Sequence, residues 1–100
     1  MKKQKFEVSP EAQNDINDAI VYHENKKDGL GLEFHKEVKK TFDIIENNPF
    51  TYQIVVQKDQ IRRGLTHRFK YGIFYIVTKM KIMVTRVIHT SRSPEEWTKK

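Results

Sequence analysis

The sequence predicts an α+β fold: an N-terminal strand, an antiparallel helical hairpin, then a mostly antiparallel β-sheet. The element order is β-α-α-β-β-β, closed by a short C-terminal helical turn. Three observations predict it. Apolar residues recur at helical spacing through the first half of the chain. They recur in short, β-branched and aromatic runs through the second half. And 100 residues supply one core, so a hairpin lying on one sheet face satisfies burial and leaves the other face partly open. A single domain over residues 1–100 is expected.

Lys5-Phe6-Glu7-Val8 alternates polar and apolar residues and reads as the first strand. Ser9-Pro10-Glu11 opens a helix. Serine caps, proline suits the first helical position, and glutamate meets the positive end of the dipole. Ala12, Ile16, Ala19, Ile20 and His23 then share one face, predicting a helix over about 10–26. Asp28-Gly29-Leu30-Gly31 breaks it, and a second helix is expected over about 31–47. Its stripe is Phe34, Val38, Phe42 and Ile45, with Thr41 beside it. Glu33 and Glu37 repel at a four-residue spacing, as do Lys36 and Lys40, so charge pairing lends that helix little support. Asn47-Asn48-Pro49 ends it, because the residue before proline resists the helical conformation.

Gln53–Val56 reads as irregular or as a short strand, and Ile61–Phe69 as a longer one. Lys70-Tyr71-Gly72 is a tight link, and Gly64 is a plausible bulge site. Ile73–Val77 is apolar on both faces, the mark of a central strand. Thr78–Lys81 turns the chain into a β-branched strand over Ile82–His89. Ser91–Trp97 reads as a cap and one helical turn, with Pro94 at a first helical position.

Charge is unevenly placed. Residues 1–57 hold 8 Lys against 10 Asp and Glu, a net of −2, and residues 58–100 hold 11 Lys and Arg against 3 Glu and Asp, a net of +8. All five arginines (Arg62, Arg63, Arg68, Arg86 and Arg92) lie in the second part. Arginine's planar fork suits phosphate and carboxylate, so the basic sheet points to nucleic acid or an acidic protein segment, against a merely solvated basic surface. The absence of cysteine excludes disulfides and thiolate metal sites and fits a reducing cytoplasm. The basic start Met1–Phe6 leads into no apolar run, so neither a signal peptide nor a membrane span is expected.

His89 ends the last long strand near Arg92. A histidine there can move protons near neutral pH, and arginines can stabilise charge developing on phosphorus, which is what metal-free RNA cleavage requires. The plainer reading is a histidine that caps the strand end. Arg62 and Arg68 share strand parity and are the preferred anion-binding pair, while Arg63 points the other way. The plainer reading is edge charge that discourages aggregation. Arg86 is either a functional charge on the open sheet face or a snorkelling residue. Tyr71 and Tyr75 can stack on bases, although Tyr75 has the parity of a core residue; Tyr22 and Trp97 read as packing residues. His23, His35 and His67 lack metal spacing, no phosphate-binding glycine loop is present, and no metal or cofactor is expected.

Taken in order, Ser9-Pro10-Glu11-Ala12, Gly29-Leu30-Gly31-Leu32-Glu33-Phe34, Ile45-Glu46-Asn47-Asn48-Pro49, Ile61-Arg62-Arg63, Arg68-Phe69-Lys70-Tyr71-Gly72 and Val87-Ile88-His89-Thr90-Ser91-Arg92-Ser93-Pro94 resemble the RelE/ParE superfamily of bacterial type II toxins. The resemblance spans Phe6 to Trp97. It implies a toxin neutralised by a cognate antitoxin whose acidic, apolar C-terminal segment wraps it. It also implies one of two activities. ParE-like members are similar to non-enzymatic poisons of DNA gyrase, and His89-x-x-Arg92-x-Pro94 with Trp97 leans that way. RelE-like members are similar to ribosome-dependent, metal-free mRNA endoribonucleases, in which His89 would act with Arg62, Arg68 and Arg92. A third reading is a basic nucleic-acid-binding domain of the same fold that has lost toxicity. Lys70 stands where many relatives carry proline.

Overall fold

In the computed structural model, which describes residues 4–93, strand β1 (Lys5–Val8) precedes helices α1 (Pro10–Lys26) and α2 (Leu30–Asn47). Strands β2 (Ile54–Val56), β3 (Ile61–Leu65), β4 (Tyr71–Val77) and β5 (Lys81–His89) follow. The sheet order is β1-β5-β4-β3-β2. β1 runs parallel to β5, and every other neighbouring pair is antiparallel. The predicted α+β architecture is therefore present, with the 53–56 segment supplying a short edge strand. The expected helical turn over Ser91–Trp97 falls mostly outside the described residues.

The helices form where their caps and stripes place them. Ser9 accepts the Ala12 N–H at 3.1 Å, and Pro10 opens α1. α2 begins after Gly29, which has no side chain to cap it. Its free N–H groups are met from α1 instead: the Glu24 carboxylate accepts Gly29 N–H at 3.0 Å and Gly31 N–H at 3.0 Å. Those two bonds hold the Glu24 carboxyl below its ordinary range. At Gly31 the helices nearly touch, and an added Cβ would sit 2.8 Å from the Ile20 carbonyl oxygen.

One core lies between hairpin and sheet. Ala12, Ile16 and Ala19 of α1 and Phe34, Val38 and Ile45 of α2 meet Ile73, Tyr75, Ile82, Val84 and Val87. Tyr75 is fully buried; its hydroxyl donates to the Pro49 carbonyl at 2.7 Å, and burial pushes its pKa up to about 12. The opposite sheet face carries a second cluster of Ile61, Phe74 and Ile88, packed by Val55, Val56 and Ile76.

Two local expectations are corrected. β3 stops at Leu65 rather than running to Phe69, because a turn intervenes. The hydroxyl of buried Thr66 accepts the Tyr71 N–H at 2.9 Å, and its own N–H donates to the Tyr71 carbonyl at 3.0 Å. Phe69 and Lys70 take positive φ, 72° and 58°. Proline cannot adopt the value at Lys70, so this turn differs from one that proline would preset. Nor is Gly64 a bulge. β3 pairs β4 without interruption, and Gly64 packs closely under α2, where a Cβ would lie 3.2 Å from both Ile45 and Thr41. Irregularities lie instead in β2, where Val55 falls between the paired Ile54 and Val56, and in β5, where Thr85 is the extra residue between Val84 and Arg86.

Candidate functional site

The bulge in β5 is tied to the first half of α1. Ser9 N–H donates to the Val84 carbonyl at 2.9 Å, and Ser9 Oγ donates to the Thr85 carbonyl at 3.1 Å. Thr85 Oγ1 donates to the Phe74 carbonyl at 3.2 Å. Asp15, in the second turn of α1, accepts from Arg86 Nε at 2.7 Å, Arg86 Nη2 at 3.1 Å and Val87 N–H at 2.9 Å. Arg86 therefore turns toward α1, not onto the open sheet face.

Beyond that clamp, α1 and the end of β5 diverge around a cleft of about 740 Å³. Tyr22, His23 and Lys26 line its helical wall; Tyr71, His89, Ser91 and Arg92 line its sheet wall. Its floor is aromatic. His23 stacks on Phe34 with ring centroids 5.1 Å apart, and Tyr71 meets Phe34 at 4.7 Å and His89 at 5.3 Å. His23 Nε2 lies 3.4 Å from the Tyr71 hydroxyl. Burial first, then the charges of Lys26 and His89, hold the His23 pKa below its ordinary value, so the ring is neutral at pH 7. Burial and Tyr22 push the Tyr71 hydroxyl up, against the pull of Arg92.

His89 has a defined hydrogen-bonding polarity. Ser91 N–H donates to its Nδ1 at 3.1 Å, and Ser91 Oγ lies 2.9 Å from the same atom. Acceptance of that backbone N–H at Nδ1 favours the neutral tautomer that carries its proton on Nε2. Arg92 N–H closes the turn onto the His89 carbonyl at 3.0 Å.

The family described as "ParE toxin of type II toxin-antitoxin system, parDE" matches residues 6–94. The chain belongs to the ParE toxin family. In structure it is similar to a chain from the chromosomal ParDE toxin-antitoxin system of P. aeruginosa. The TM-score is 0.72 at 15% identity, over 87% of this chain and 96% of that one. At that identity the likeness is one of fold. No curated protein sequence matches the chain.

In this ParE-family member, His89, Arg86 and Arg92 share the cleft, whereas Arg62, Arg63 and Arg68 lie elsewhere. Arg62 pairs with Tyr75, about 13 Å along β4 from the Tyr71 partnered by His89. It donates to the Tyr52 carbonyl at 2.7 Å and lies over the Phe50 ring. Arg63 pairs with Phe74 on the opposite sheet face, beside Gly72. Arg68 sits in the turn after β3, so it and Arg62 do not form a strand pair. Its guanidinium meets Glu33 and its backbone N–H meets Glu37 at 3.2 Å. The two acids that repel along α2 thus both hold Arg68, and Glu37 also pairs with Lys40 at 3.4 Å.

The cleft also gathers Asp15, Tyr22 and His23, none of them singled out as site residues from the sequence. Tyr22 is exposed, not packed, with Lys26 Nζ 4.9 Å from its ring centre. The one available signal was His23, a histidine on an otherwise apolar helix face.

Proposed function

We propose that the chain is a single-domain ParE-type toxin of the cytoplasm, neutralised by a cognate antitoxin, that acts by contact on DNA gyrase without catalysis. The observation that carries this reading is the polarity of His89. With Nδ1 accepting from Ser91, the neutral ring presents a donor at Nε2, which binds an acceptor but cannot take a proton there. The basic side chains support it as well. Arg62, Arg63 and Arg68 do not converge on His89, and Arg86 is held by Asp15, so charge stabilisation at one scissile phosphate has little to draw on beyond Arg92 and Lys26. Antitoxin binding is supported by exposed Val21, Tyr22 and Leu32 on the hairpin and by the cations of the cleft that Tyr22 lines, features suited to an acidic and apolar segment. No described helix is long and apolar enough to cross a membrane.

One observation favours the ribonuclease reading: His23, Tyr71, His89 and Arg92 line the same cleft, which places three titratable rings beside a cation. Induction of the toxin with two readouts decides. The gyrase reading predicts inhibited supercoiling by the purified protein and intact messenger RNA in induced cells. Ribosome-associated cleavage of messenger RNA that disappears in His89→Ala would sink it.

A further inference from the structure

We infer that Asp15 is the positioning residue of the cleft: by accepting the Val87 N–H, it fixes the phase of β5 and so decides that His89 faces the helices. The inference rests on the cleft being the working surface. Side chains of a strand alternate between the two sheet faces, and one inserted residue exchanges the faces of everything after it. Val84 lies on the helix-covered face. Strict alternation from Val84 would return Ile88 to that face and send Val87 and His89 to the other. The structure has the reverse: Val87 is buried in the hairpin core and Ile88 in the opposite cluster. His89 then faces α1, against Tyr71. The exchange occurs at Thr85.

A bulge needs partners for the groups it displaces, and here they come from α1. Ser9 takes the carbonyl side, through Val84 and Thr85. Asp15 takes the Val87 N–H, and its carboxylate also receives Arg86 side-on, at 2.7 and 3.1 Å. Arg86 orients the carboxylate, and the backbone bond sets the phase. Asp15 itself reaches neither His89 nor Arg92 in this arrangement, so its influence on them passes through the strand.

The test uses full-length protein and three variants. Asp15→Asn keeps an oxygen for the Val87 N–H, Asp15→Leu is of similar size without one, and Arg86→Met removes the ion pair but leaves the acceptor. Two-dimensional NMR reads the Tyr71–His89 cross-strand contact and Val87 amide exchange. Growth inhibition on induction reads function. In Asp15→Leu, Val87 exchange should quicken by about tenfold or more, the loss expected for a bond to a charged acceptor. The Tyr71–His89 contact should be lost and inhibition should fall by a similar factor. Asp15→Asn and Arg86→Met should keep the contact. A folded Asp15→Leu that retains the Tyr71–His89 contact overturns the proposal, whatever its toxicity. Loss of the contact with toxicity unchanged keeps Asp15 as the phase-setting residue and rejects the cleft as the working surface. If Asp15→Leu does not fold, Arg86→Met and Asp15→Asn decide: retention of the contact in both supports the backbone bond, and its loss in either folded variant would mean that the ion pair, not the backbone bond alone, sets the phase.

Discussion

Two arginines tie the sheet to the hairpin, and they do so in opposite ways. Arg86 meets Asp15 of α1 with side chains only 17% and 18% exposed, and the same carboxylate accepts a backbone N–H. Arg68 meets Glu33 of α2 with side chains 57% and 46% exposed. A sheltered pair that also satisfies backbone is architecture, and removing one partner leaves the other in a poorly solvated place. A pair at the surface stays near water and salt, so an anionic partner can take the arginine at little cost. The difference divides the basic half of the chain. Arg86 builds the site, Arg92 is available in it, and Arg68 is a releasable charge outside it.

The largest effect belongs to the sheltered pair. Asp15→Ala should cost about 2–3 kcal/mol in urea unfolding, combining a charged hydrogen bond with a partly buried arginine. A loss below about 1 kcal/mol would put it in the same class as the surface pair. The next effect tests the same region by acid. His23 has a folded pKa below 6.5, its ordinary value, so above pH 6.5 both folded and unfolded chains hold it neutral. Below that, the unfolded chain protonates first, and stability declines until pH passes the lower, folded pKa. Unfolding at pH 7 and pH 5.5 should show the decline in the parent protein, and His23→Phe should remove that part of it. The smallest effect belongs to the surface pair. Arg68→Ala should cost no more than about 1 kcal/mol, and 0.5 M salt should erase most of the difference. A salt-resistant loss would show that Arg68 is as structural as Arg86.

Much of the framework was legible because local chemistry and tertiary need agree. Ser9-Pro10 starts α1, the Phe34-Val38-Ile45 stripe packs α2, Asn48-Pro49 stops it, and the β-branched run from Ile82 to His89 forms a strand. What was not legible has a common cause: it depends on partners far along the chain. Thr85 carries no sign of a bulge, because Val84-Thr85-Arg86 reads as uninterrupted strand, and its stabilising groups lie some 70 residues earlier. The turn after β3 rests on positive φ at Phe69 and Lys70, residues with no local preference for it. Arg62 and Arg68 paired well on paper because strand parity was extended through that turn. Of the cleft, His89 and Arg92 were readable from their place at a strand end. His23 and Tyr71 meet across 48 residues, which helical or strand spacing alone cannot reveal.

The central claim is that His89 serves the cleft as a hydrogen-bond donor and not as a proton acceptor. Purified His89→Gln, compared with His89→Phe and the parent protein in a gyrase supercoiling assay, tests it most directly. Glutamine retains an N–H donor but has no titratable nitrogen; phenylalanine keeps the ring shape and loses the donor. Inhibition by His89→Gln should stay within about threefold of the parent, and His89→Phe should fall by about tenfold, the scale of one lost hydrogen bond. Equal loss in both variants, with messenger RNA cleaved by the parent protein alone, would contradict the account.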